Sequence, residues 1–230
     1  MKSEMPNEGT ATNLRKAVYE EKFLLQVHKL LELGYFAIGK EDYSNTDEET
    51  ISGDISEAIE EILDKRTEPW MAFYDVHNEK PVQQKGSGKN DRTREGKKRQ
   101  RIDIEFVSAE ASPRLRFPFE AKLLCDSKSV SAYVGSSGLG CFVKAEYGAN
   151  DQAAGMLGFI QSRTRAEWMT KIEAKMGQNK RILCAAAATP WRDSKLSVAN
   201  SLVKVSNHTR AHRLGMFKVF HTLLDFCQTD

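Results

Sequence analysis

The sequence predicts an α/β fold, because two neighbouring segments alternate as β-strands do and the segments around them have the spacing of amphipathic helices. The first strand-like segment is Arg101–Phe106 and the second is Leu115–Leu124. Successive side chains of a strand point to opposite faces, so each segment has one apolar face and one polar face. At 230 residues the chain is long enough for one α/β core with an extension.

Two helices are predicted before these strands. Residues Asn13–Leu33 carry apolar side chains at helical spacing, and Gly34 is expected to end this helix. The acidic stretch Glu41–Glu49 is predicted to be an exposed loop. The amphipathic stretch Ile55–Lys65 is predicted to be the first helix of the core.

This pattern divides the chain into a helical extension over residues 1–50 and a core domain over residues 51–230. The helix of the extension is expected to pack on the sheet of the core. An interface between subunits is the alternative role for that helix. Neither role follows from the helical spacing alone, because both bury an apolar face.

The remaining elements complete the α/β pattern. The aromatic-rich stretch Trp70–Val76 precedes the two strands. A helix is predicted over Ala149–Lys175, and the continuous apolar run Ile182–Ala188 is predicted to be a buried strand. The stretch Leu214–Phe226 is expected to close the fold with apolar contacts.

Charged side chains gather on the polar faces of the two strands. Asp103 and Glu105 share the polar face of the first strand, and Glu120 and Lys122 share that of the second. The connection over residues 107–114 suits a hairpin with a loop, so the strands are predicted to be antiparallel neighbours. Asp103 and Glu120 are then expected to face each other across the pair.

Two carboxylates beside a lysine are typical of metal-dependent phosphodiester chemistry. Mg²⁺ prefers carboxylate, carbonyl and water oxygens as ligands, and it lowers the pKa of a bound water. We expect Asp103 and Glu120 to bind Mg²⁺, for which Mn²⁺ can substitute, and the Ala121 carbonyl to be a further ligand. Lys122 is expected to orient or deprotonate the attacking water and to offset charge in the transition state.

Through Asp103 and the triplet Glu120-Ala121-Lys122, the chain resembles the PD-(D/E)xK nuclease superfamily. The resemblance implies a restriction-endonuclease-like core, a mixed central sheet flanked by helices with elements in the order αβββαβ. It implies a metal-dependent endodeoxyribonuclease that hydrolyses phosphodiester bonds of DNA by metal-activated water. By analogy with small proteins that carry such a site, it also suggests a role in bacterial antiviral defence.

The resemblance further implies an acidic residue on the first core helix. Glu57 is favoured for this place, Glu61 is second, and Glu60 lies in the same helix. Two positions depart from the superfamily pattern. Ile102 stands where the pattern has proline, and Pro118 lies inside the second strand, where it is expected to mark a bulge or a late strand start.

The alternative function is a non-catalytic nucleic-acid-binding or assembly subunit of a defence complex. Such a subunit would keep the fold and use its basic segment and N-terminal helix for contacts. The complete set of Asp103, Glu120 and Lys122 argues against it. In either case a homo-oligomer or a regulatory protein partner is expected.

Two polar segments are candidates for contact with nucleic acid. Residues 85–101 are rich in basic residues and glycine, and a cationic arm there could neutralise backbone phosphates. Its candidate contacts are Lys89, Arg92, Arg94, Lys97, Lys98 and Arg99. Residues 206–213 are predicted to be a polar loop in which His208 and Arg210 touch nucleic acid, with a solvated connector as the alternative.

Composition excludes several other classes of protein. Hydrophobic residues make up 40% and charged residues 29% of the chain, and no apolar run is long enough for a bilayer, so no membrane partner is expected. Residues 1–8 lack an apolar signal core, which predicts a cytoplasmic location. The four cysteines are widely spaced without a CxxC motif, which indicates neither a zinc site nor a disulfide framework.

Overall fold

The computed structural model describes residues 8–39, 43–81, 101–148, 151–185, 191–196, 202–210 and 213–227. Within these ranges, helices lie on both faces of one sheet, and no helix there has the length and apolar character needed to cross a bilayer. The helices are α1 (Glu8–Ile38), α2 (Glu48–Lys65), a short 3-10 helix (Pro69–Phe73), α3 (Ser129–Val134), α4 (Leu139–Val143) and α5 (Arg165–Gln178). The strands are β1 (Tyr74–Pro81), β2 (Arg101–Ser108), β3 (Leu115–Leu124), β4 (Ala153–Ile160), β5 (Arg192–Asp193), β6 (Val203–Arg210) and β7 (Arg213–Asp225).

The sheet is mixed, with the strand order β1-β2-β3-β4-β7-β6-β5. Strands β1, β2 and β3 are antiparallel neighbours, whereas β4 runs parallel to both β3 and β7. Strands β7, β6 and β5 are again antiparallel. The predicted α/β class is therefore confirmed, as is the antiparallel pairing of the strands that carry Asp103 and Glu120.

Two apolar layers hold the helices against the sheet. Helices α1 and α2 cover one face, where Val27 and Ile55 are fully buried. Helices α3, α4 and α5 lie on the other face, where Tyr133 and Trp168 are buried. Helix α1 thus packs on the core, as expected. The boundary that the sequence suggested after residue 50 falls inside α2.

Strand β3 runs through Pro118 without a bulge, contrary to the prediction. Its pairing with β4 begins one residue later, at Phe119. The amide of Ala121 points towards β2, and alternation along the strand turns the Pro118 nitrogen towards β4. Pro118, which has no N–H, therefore lies just before the β3–β4 ladder begins, and no hydrogen bond of that ladder is lost.

Helix α2 begins at Glu48, earlier than the predicted start at Ile55. Asp47 is its N-cap, and the Asp47 carboxylate accepts a hydrogen bond from the Thr50 amide at 2.9 Å. The predicted loop over residues 41–49 is therefore wrong at its C-terminal end, and residues 40–42 lie outside the described ranges. The first turn is polar, so apolar spacing could not reveal it.

The predicted helix over Ala149–Lys175 is wrong in its first half. Residues Ala153–Ile160 form strand β4, and α5 follows only after a capping box. Strand β4 has neighbours on both sides and is buried on both faces, so its side chains are apolar without alternation. Glycines admit neighbouring side chains there, since a Cβ on Gly155 would lie 2.1 Å from the Phe119 ring.

Two predictions for the C-terminal third are also wrong. Residues 181–184 form turns instead of a strand, Ala185 makes one bridge to His208, and residues 186–188 lie outside the described ranges. In the predicted polar loop over residues 206–213, residues 206–210 are the end of β6 and Arg213 begins β7, which pairs with β6, while residues 211 and 212 lie outside the described ranges. Strand β6 was not predicted because its polar side chains interrupt the apolar alternation that indicates a strand.

Helix α1 continues through Gly34 to Ile38, beyond its predicted end. A Cβ on Gly34 would lie 2.5 Å from Ile59 Cγ1 and 3.1 Å from the Ile55 carbonyl oxygen. Atoms of a packed core do not approach so closely. The glycine is therefore explained by the close approach of α1 and α2, not by a helix end.

We expect Gly34→Ala to destabilise the protein by about 1–3 kcal/mol, because the added methyl group would overlap Ile59 in a packed interior. The control is Gly53→Ala in α2, where the nearest atom is the Asn78 side-chain nitrogen at 3.3 Å. Asn78 is exposed, so its side chain can move by the few tenths of an ångström required, and Gly53→Ala should be neutral or stabilising by up to about 1 kcal/mol. Urea unfolding measures both variants, and equal stabilisation by both would contradict the proposed contact.

Candidate active site

Strands β2 and β3 separate at the residues predicted to carry the chemistry. Their ladder ends at the pair Ile104 and Phe119, and the next residues in register are Asp103 and Glu120. Asp103 Oδ2 accepts a hydrogen bond from the Ala121 amide at 2.6 Å. A side chain therefore takes the place of a strand carbonyl, which fixes the Asp103 carboxylate against β3.

Lys122 contacts three acceptors at this point. Its Nζ donates to Glu120 Oε1 at 2.9 Å, to Glu48 Oε1 at 2.7 Å and to the Ala121 carbonyl oxygen at 2.5 Å. The Lys122 side chain is 12% exposed and the Glu120 side chain is 7% exposed, so both groups are largely removed from water. Buried charges of this kind are tolerated when they are paired and hydrogen-bonded.

Glu48 is the acidic residue that helix α2 contributes, and the sequence pattern did not indicate it. It is the first residue of the helix, where the partial positive charge of the helix N-terminus favours a carboxylate. Its Oε1 accepts from Lys122, and its Oε2 accepts from the Leu123 amide at 3.0 Å. Glu48 therefore joins the first turn of α2 to strand β3.

Glu57, the favoured candidate from the sequence, lies elsewhere on the same helix. It follows Glu48 by two and a half turns, which corresponds to about 13 Å along the axis. Glu57, Glu60 and Glu61 are all exposed. The structure therefore corrects this assignment, because helical rise carries these three side chains away from Lys122.

The two strand carboxyls have unusual acidity. Burial raises the pKa of Glu120 to about 8, and the negative charge of Asp103 adds to the rise. Burial likewise raises the pKa of Asp103 to about 6, against the opposing effect of the Ala121 amide. Glu120 Oε2 is buried and has no hydrogen-bond partner among the described residues. Negative charge is thus in excess here, a condition typical of functional sites.

Lys122 is held in its charged form. Burial alone would lower the pKa of Lys122, but the carboxylates of Glu120 and Glu48 outweigh that effect and raise the pKa above its ordinary value. A general base must give up its proton near neutral pH. A charged ammonium group suits two of the roles predicted for Lys122, orientation of the water and stabilisation of charge, and the predicted deprotonation of the water stays a prediction.

Two further acidic residues extend the negative charge beyond the predicted set. Glu79 lies between Asn78 and Lys80, whose register partners are the two neighbours of Asp103, and it pairs with the Arg101 guanidinium. Its negative charge contributes to the raised pKa of Asp103. A hydrogen bond with Glu79 raises the pKa of Glu49, which follows Glu48 in α2. Carboxylates from α2, β1, β2 and β3 therefore surround one region.

The oxygen donors suit a hard divalent cation that keeps part of its water shell. Among the described residues, no three His, Cys, Asp or Glu side chains form a ready-made metal cage. Mg²⁺ commonly takes one or two carboxylates and completes its shell with water and substrate oxygens. The donors available here are Asp103, the unpartnered Oε2 of Glu120 and the Ala121 carbonyl oxygen.

Arg210 is buried, although the sequence suggested a surface contact. Its guanidinium donates to the carbonyl oxygens of Gly148 at 2.7 Å and Tyr147 at 3.4 Å, and it lies 3.3 Å from the centre of the Phe217 ring. Arg210 therefore anchors the segment that follows α4. The predicted polar loop is wrong, because Arg210 and His208 are buried on strand β6 and offer no surface to phosphates.

His208 belongs to a buried chain of hydrogen bonds. Its Nδ1 bonds the Leu183 carbonyl at 2.8 Å, while Ser206 Oγ joins His208 Nε2 at 2.7 Å to His221 Nε2 at 2.8 Å. The Tyr133 hydroxyl lies 3.1 Å from His221 Nδ1. Burial lowers the pKa of both histidines, that of His221 to about 3. Neutral rings satisfy the donors and acceptors of this chain, which explains Ser206 and His208 on β6.

Six basic residues predicted to contact nucleic acid belong to the segment before β2. Lys89, Arg92, Arg94, Lys97, Lys98 and Arg99 lie outside the described residues. The last basic residue of that segment, Arg101, is described and pairs with Glu79. The role of the segment in binding therefore stays a prediction.

No family model, no curated protein and no solved structure matches this chain. The chemistry of the site is therefore inferred from contacts within the chain itself. Those contacts join residues far apart in sequence, since Glu48 and Lys122 are separated by 74 positions. A chance arrangement of surface charges would not bury these groups or connect them by hydrogen bonds.

In the absence of divalent cations, we expect the free energy of unfolding to fall by about 1 kcal/mol between about pH 7 and pH 8.5. Folded Glu120 holds a proton up to a pKa of about 8, whereas the unfolded chain has already lost it. The folded state therefore binds more protons in this window, and raising the pH favours unfolding.

Urea unfolding in EDTA over this pH range measures the effect. Glu120→Gln should remove most of the fall and should raise stability at the alkaline end. The control is Glu57→Gln, which changes an exposed carboxylate and should keep the wild-type slope. A Glu120→Gln variant with an unchanged slope would contradict the assigned pKa.

Proposed function

We propose that the chain is a Mg²⁺-dependent nuclease of the PD-(D/E)xK type that hydrolyses phosphodiester bonds of DNA. The proposal rests on the meeting of Asp103, Glu120 and Lys122 where strands β2 and β3 separate. These residue types are those that metal-activated hydrolysis requires. Glu48 supplies the helix carboxylate that the resemblance implies.

The order of elements around the site also supports the proposal. Along the chain, helix α2 is followed by the short 3-10 helix, strands β1, β2 and β3, the two short helices α3 and α4, and strand β4. Apart from the 3-10 helix and the division of the second helix into α3 and α4, this is the order of helix, three strands, helix and strand that the resemblance implies. The elements that fill the last two places differ from those assigned on sequence, since α3 is only 6 residues long and β4 replaces a predicted helix.

Asp103, Glu120 and the Ala121 carbonyl oxygen are the groups that would hold Mg²⁺, with Mn²⁺ as a substitute. The unpartnered Oε2 of Glu120 supports this assignment, because a buried acceptor without a donor is costly. The raised pKa values of both carboxyls also support it, since a cation would relieve the excess negative charge. When bound, the metal supplies a coordinated water of lowered pKa and polarises a phosphate oxygen.

Lys122 is proposed to place a fixed positive charge beside the scissile phosphate. Its ammonium group can donate a hydrogen bond to the attacking water or to a phosphate oxygen as negative charge develops. Glu48 holds the ammonium in position and does not need to contact the substrate. Glu48 is therefore proposed as a positioning residue, and Lys122 as a catalytic one.

The proposed biological setting follows from the resemblance and is kept apart from the chemistry. DNA is the proposed substrate, and bacterial antiviral defence in the cytoplasm is the proposed role. A regulatory protein or a second copy of the chain is proposed to restrain or direct cutting. Each of these proposals depends on the site being active.

We expect the purified protein to cut plasmid DNA in the presence of Mg²⁺ or Mn²⁺. Asp103→Ala, Lys122→Ala and Glu48→Gln should each lower the rate by about 100-fold or more, because each removes a group that binds the metal or supports the charged lysine. Gel analysis of relaxed and linear plasmid over time measures the rate.

Glu57→Gln is the matched control, because it removes an exposed carboxylate from the same helix. It should cut at the wild-type rate. Loss of cutting in Glu57→Gln with normal cutting in Glu48→Gln would reverse the assignment. A protein that binds nucleic acid yet cuts under no metal would favour the non-catalytic subunit.

Metal binding can be tested without substrate. Mn²⁺ or Mg²⁺ should raise the melting temperature of the wild type, and at 100 times its dissociation constant the cation adds about 2.7 kcal/mol of stability. Asp103→Asn and Glu120→Gln should lose most of this shift, whereas Glu57→Gln should keep it. Differential scanning fluorimetry measures the melting temperatures. An equal rise in the wild type and all three variants would place the cation elsewhere.

A further inference from the structure

Helices α3 and α5 border a groove on the face of the sheet opposite α1 and α2. The groove has a volume of about 340 Å³. Its lining includes Asp126, Ser127, Ser131, Trp168, Lys171 and Lys175. Hydroxyl and ammonium groups at an open surface are donors, so the groove is suited to an anionic ligand.

Two lysines give the groove its positive charge. Lys171 is exposed and its Nζ lies 5.5 Å from the centre of the Trp168 ring, while Lys175 is half-buried. Neither lysine forms an ion pair with a carboxylate among the described residues. Both ammonium groups are therefore without an ion-pair partner, although the Lys171 charge also contributes to the lowered pKa of Glu167, one turn earlier in α5.

The carboxylate in the lining is already engaged. Asp126 Oδ1 accepts hydrogen bonds from the Lys128 amide at 2.8 Å and from the Ser129 amide and hydroxyl, both at 3.0 Å. These hydrogen bonds lower the pKa of Asp126, so it stays ionised. Its charge serves the turn before α3, and the two lysines outnumber it.

The groove lies close to the candidate active site along the chain. Helix α3 packs against β3, the strand that carries Glu120 and Lys122. Asp126 follows Lys122 by four residues, so their Cα atoms are at most about 14 Å apart. One strand of a duplex carries a phosphate about every 3.4 Å along the helix axis. The span from Lys122 to Asp126, which lines the groove, therefore corresponds to at most about four nucleotides of one strand.

We propose that the groove between α3 and α5 binds backbone phosphates of the nucleic-acid substrate, a few nucleotides from the cut. This inference rests on the proposed nuclease function and adds a substrate-binding site to it. Lys171 and Lys175 are the phosphate contacts, and the serine hydroxyls add neutral donors. Such contacts position the substrate without reading its sequence.

The test compares two double variants that each remove two positive charges. Lys171→Gln/Lys175→Gln alters the groove. Lys22→Gln/Lys65→Gln alters the helices of the opposite layer, where the two side chains are 49% and 66% exposed. Fluorescence anisotropy with a labelled oligonucleotide, single-stranded and duplex, in Ca²⁺ over a range of salt concentrations gives affinity and salt dependence.

We expect the groove variant to bind about tenfold more weakly near physiological salt and to lose about 2 from the slope of log affinity against log salt. The control variant should stay within about twofold of the wild type, because contacts outside the interface contribute little. Equal affinity and slope in the two variants would overturn the proposal, and so would a wild type that binds no nucleic acid.

Hydrolysis of bis(4-nitrophenyl) phosphate with Mn²⁺ separates this inference from the proposed function. This small diester reaches the metal site and not the groove, so the groove variant should hydrolyse it at the wild-type rate. Hydrolysis without any difference in oligonucleotide affinity would reject the groove and keep the nuclease. The opposite result would be a wild type that hydrolyses neither plasmid DNA nor bis(4-nitrophenyl) phosphate, together with a groove variant that binds the oligonucleotide more weakly. That result would reject the nuclease function and keep the groove as a binding site.

Polyglutamate provides a probe of a different polyanion. We expect it to compete weakly with the oligonucleotide, because flat carboxylates along a flexible chain do not reproduce the spacing of phosphates. Preferential binding of polyglutamate, with the same dependence on Lys171 and Lys175, would replace nucleic acid with an acidic protein segment and overturn the proposal.

Discussion

The arrangement of this site depends on one buried cation. Lys122 Nζ joins Glu48 of α2 to Glu120 of β3, and Glu48 also accepts from the Leu123 amide. Without the ammonium group, the buried Glu120 carboxyl and the partly exposed Glu48 carboxylate would both lose their partner, and a buried polar group without a partner is destabilising. The contact that arranges the candidate site is therefore also a contact that attaches α2 to the sheet.

Buried polar groups occur in two different arrangements in this structure. On β6 and β7, Ser206, His208 and His221 form a neutral chain in which donors and acceptors match. At the candidate site, burial raises the pKa of Asp103 and Glu120, and one oxygen of Glu120 has no partner among the described residues. The first arrangement serves stability. The second opposes it, which is expected where a chain retains charges for binding or catalysis.

The sequence alone predicts those elements whose local pattern of apolar and polar residues reflects which of their faces are buried. Strands β2 and β3 alternate because one face of each packs on α1 and α2, so their pairing and the approach of Asp103 to β3 could be predicted. Strand β4 could not, since burial on both faces removes alternation and leaves an apolar run like that of a buried helix. Glu48 was missed because its partner Lys122 is 74 positions away and the first turn of α2 is polar.

The most direct test of whether these carboxylates hold a metal is the structure of crystals grown with Mn²⁺. Anomalous scattering locates the ion and does not require that the protein be active. We predict Mn²⁺ bound by Asp103, Glu120 and the Ala121 carbonyl oxygen, with Lys122 Nζ still within hydrogen-bond distance of Glu48. Crystals without Mn²⁺ at these oxygens, in which Lys122 continues to bridge Glu120 and Glu48, would contradict the metal-dependent site.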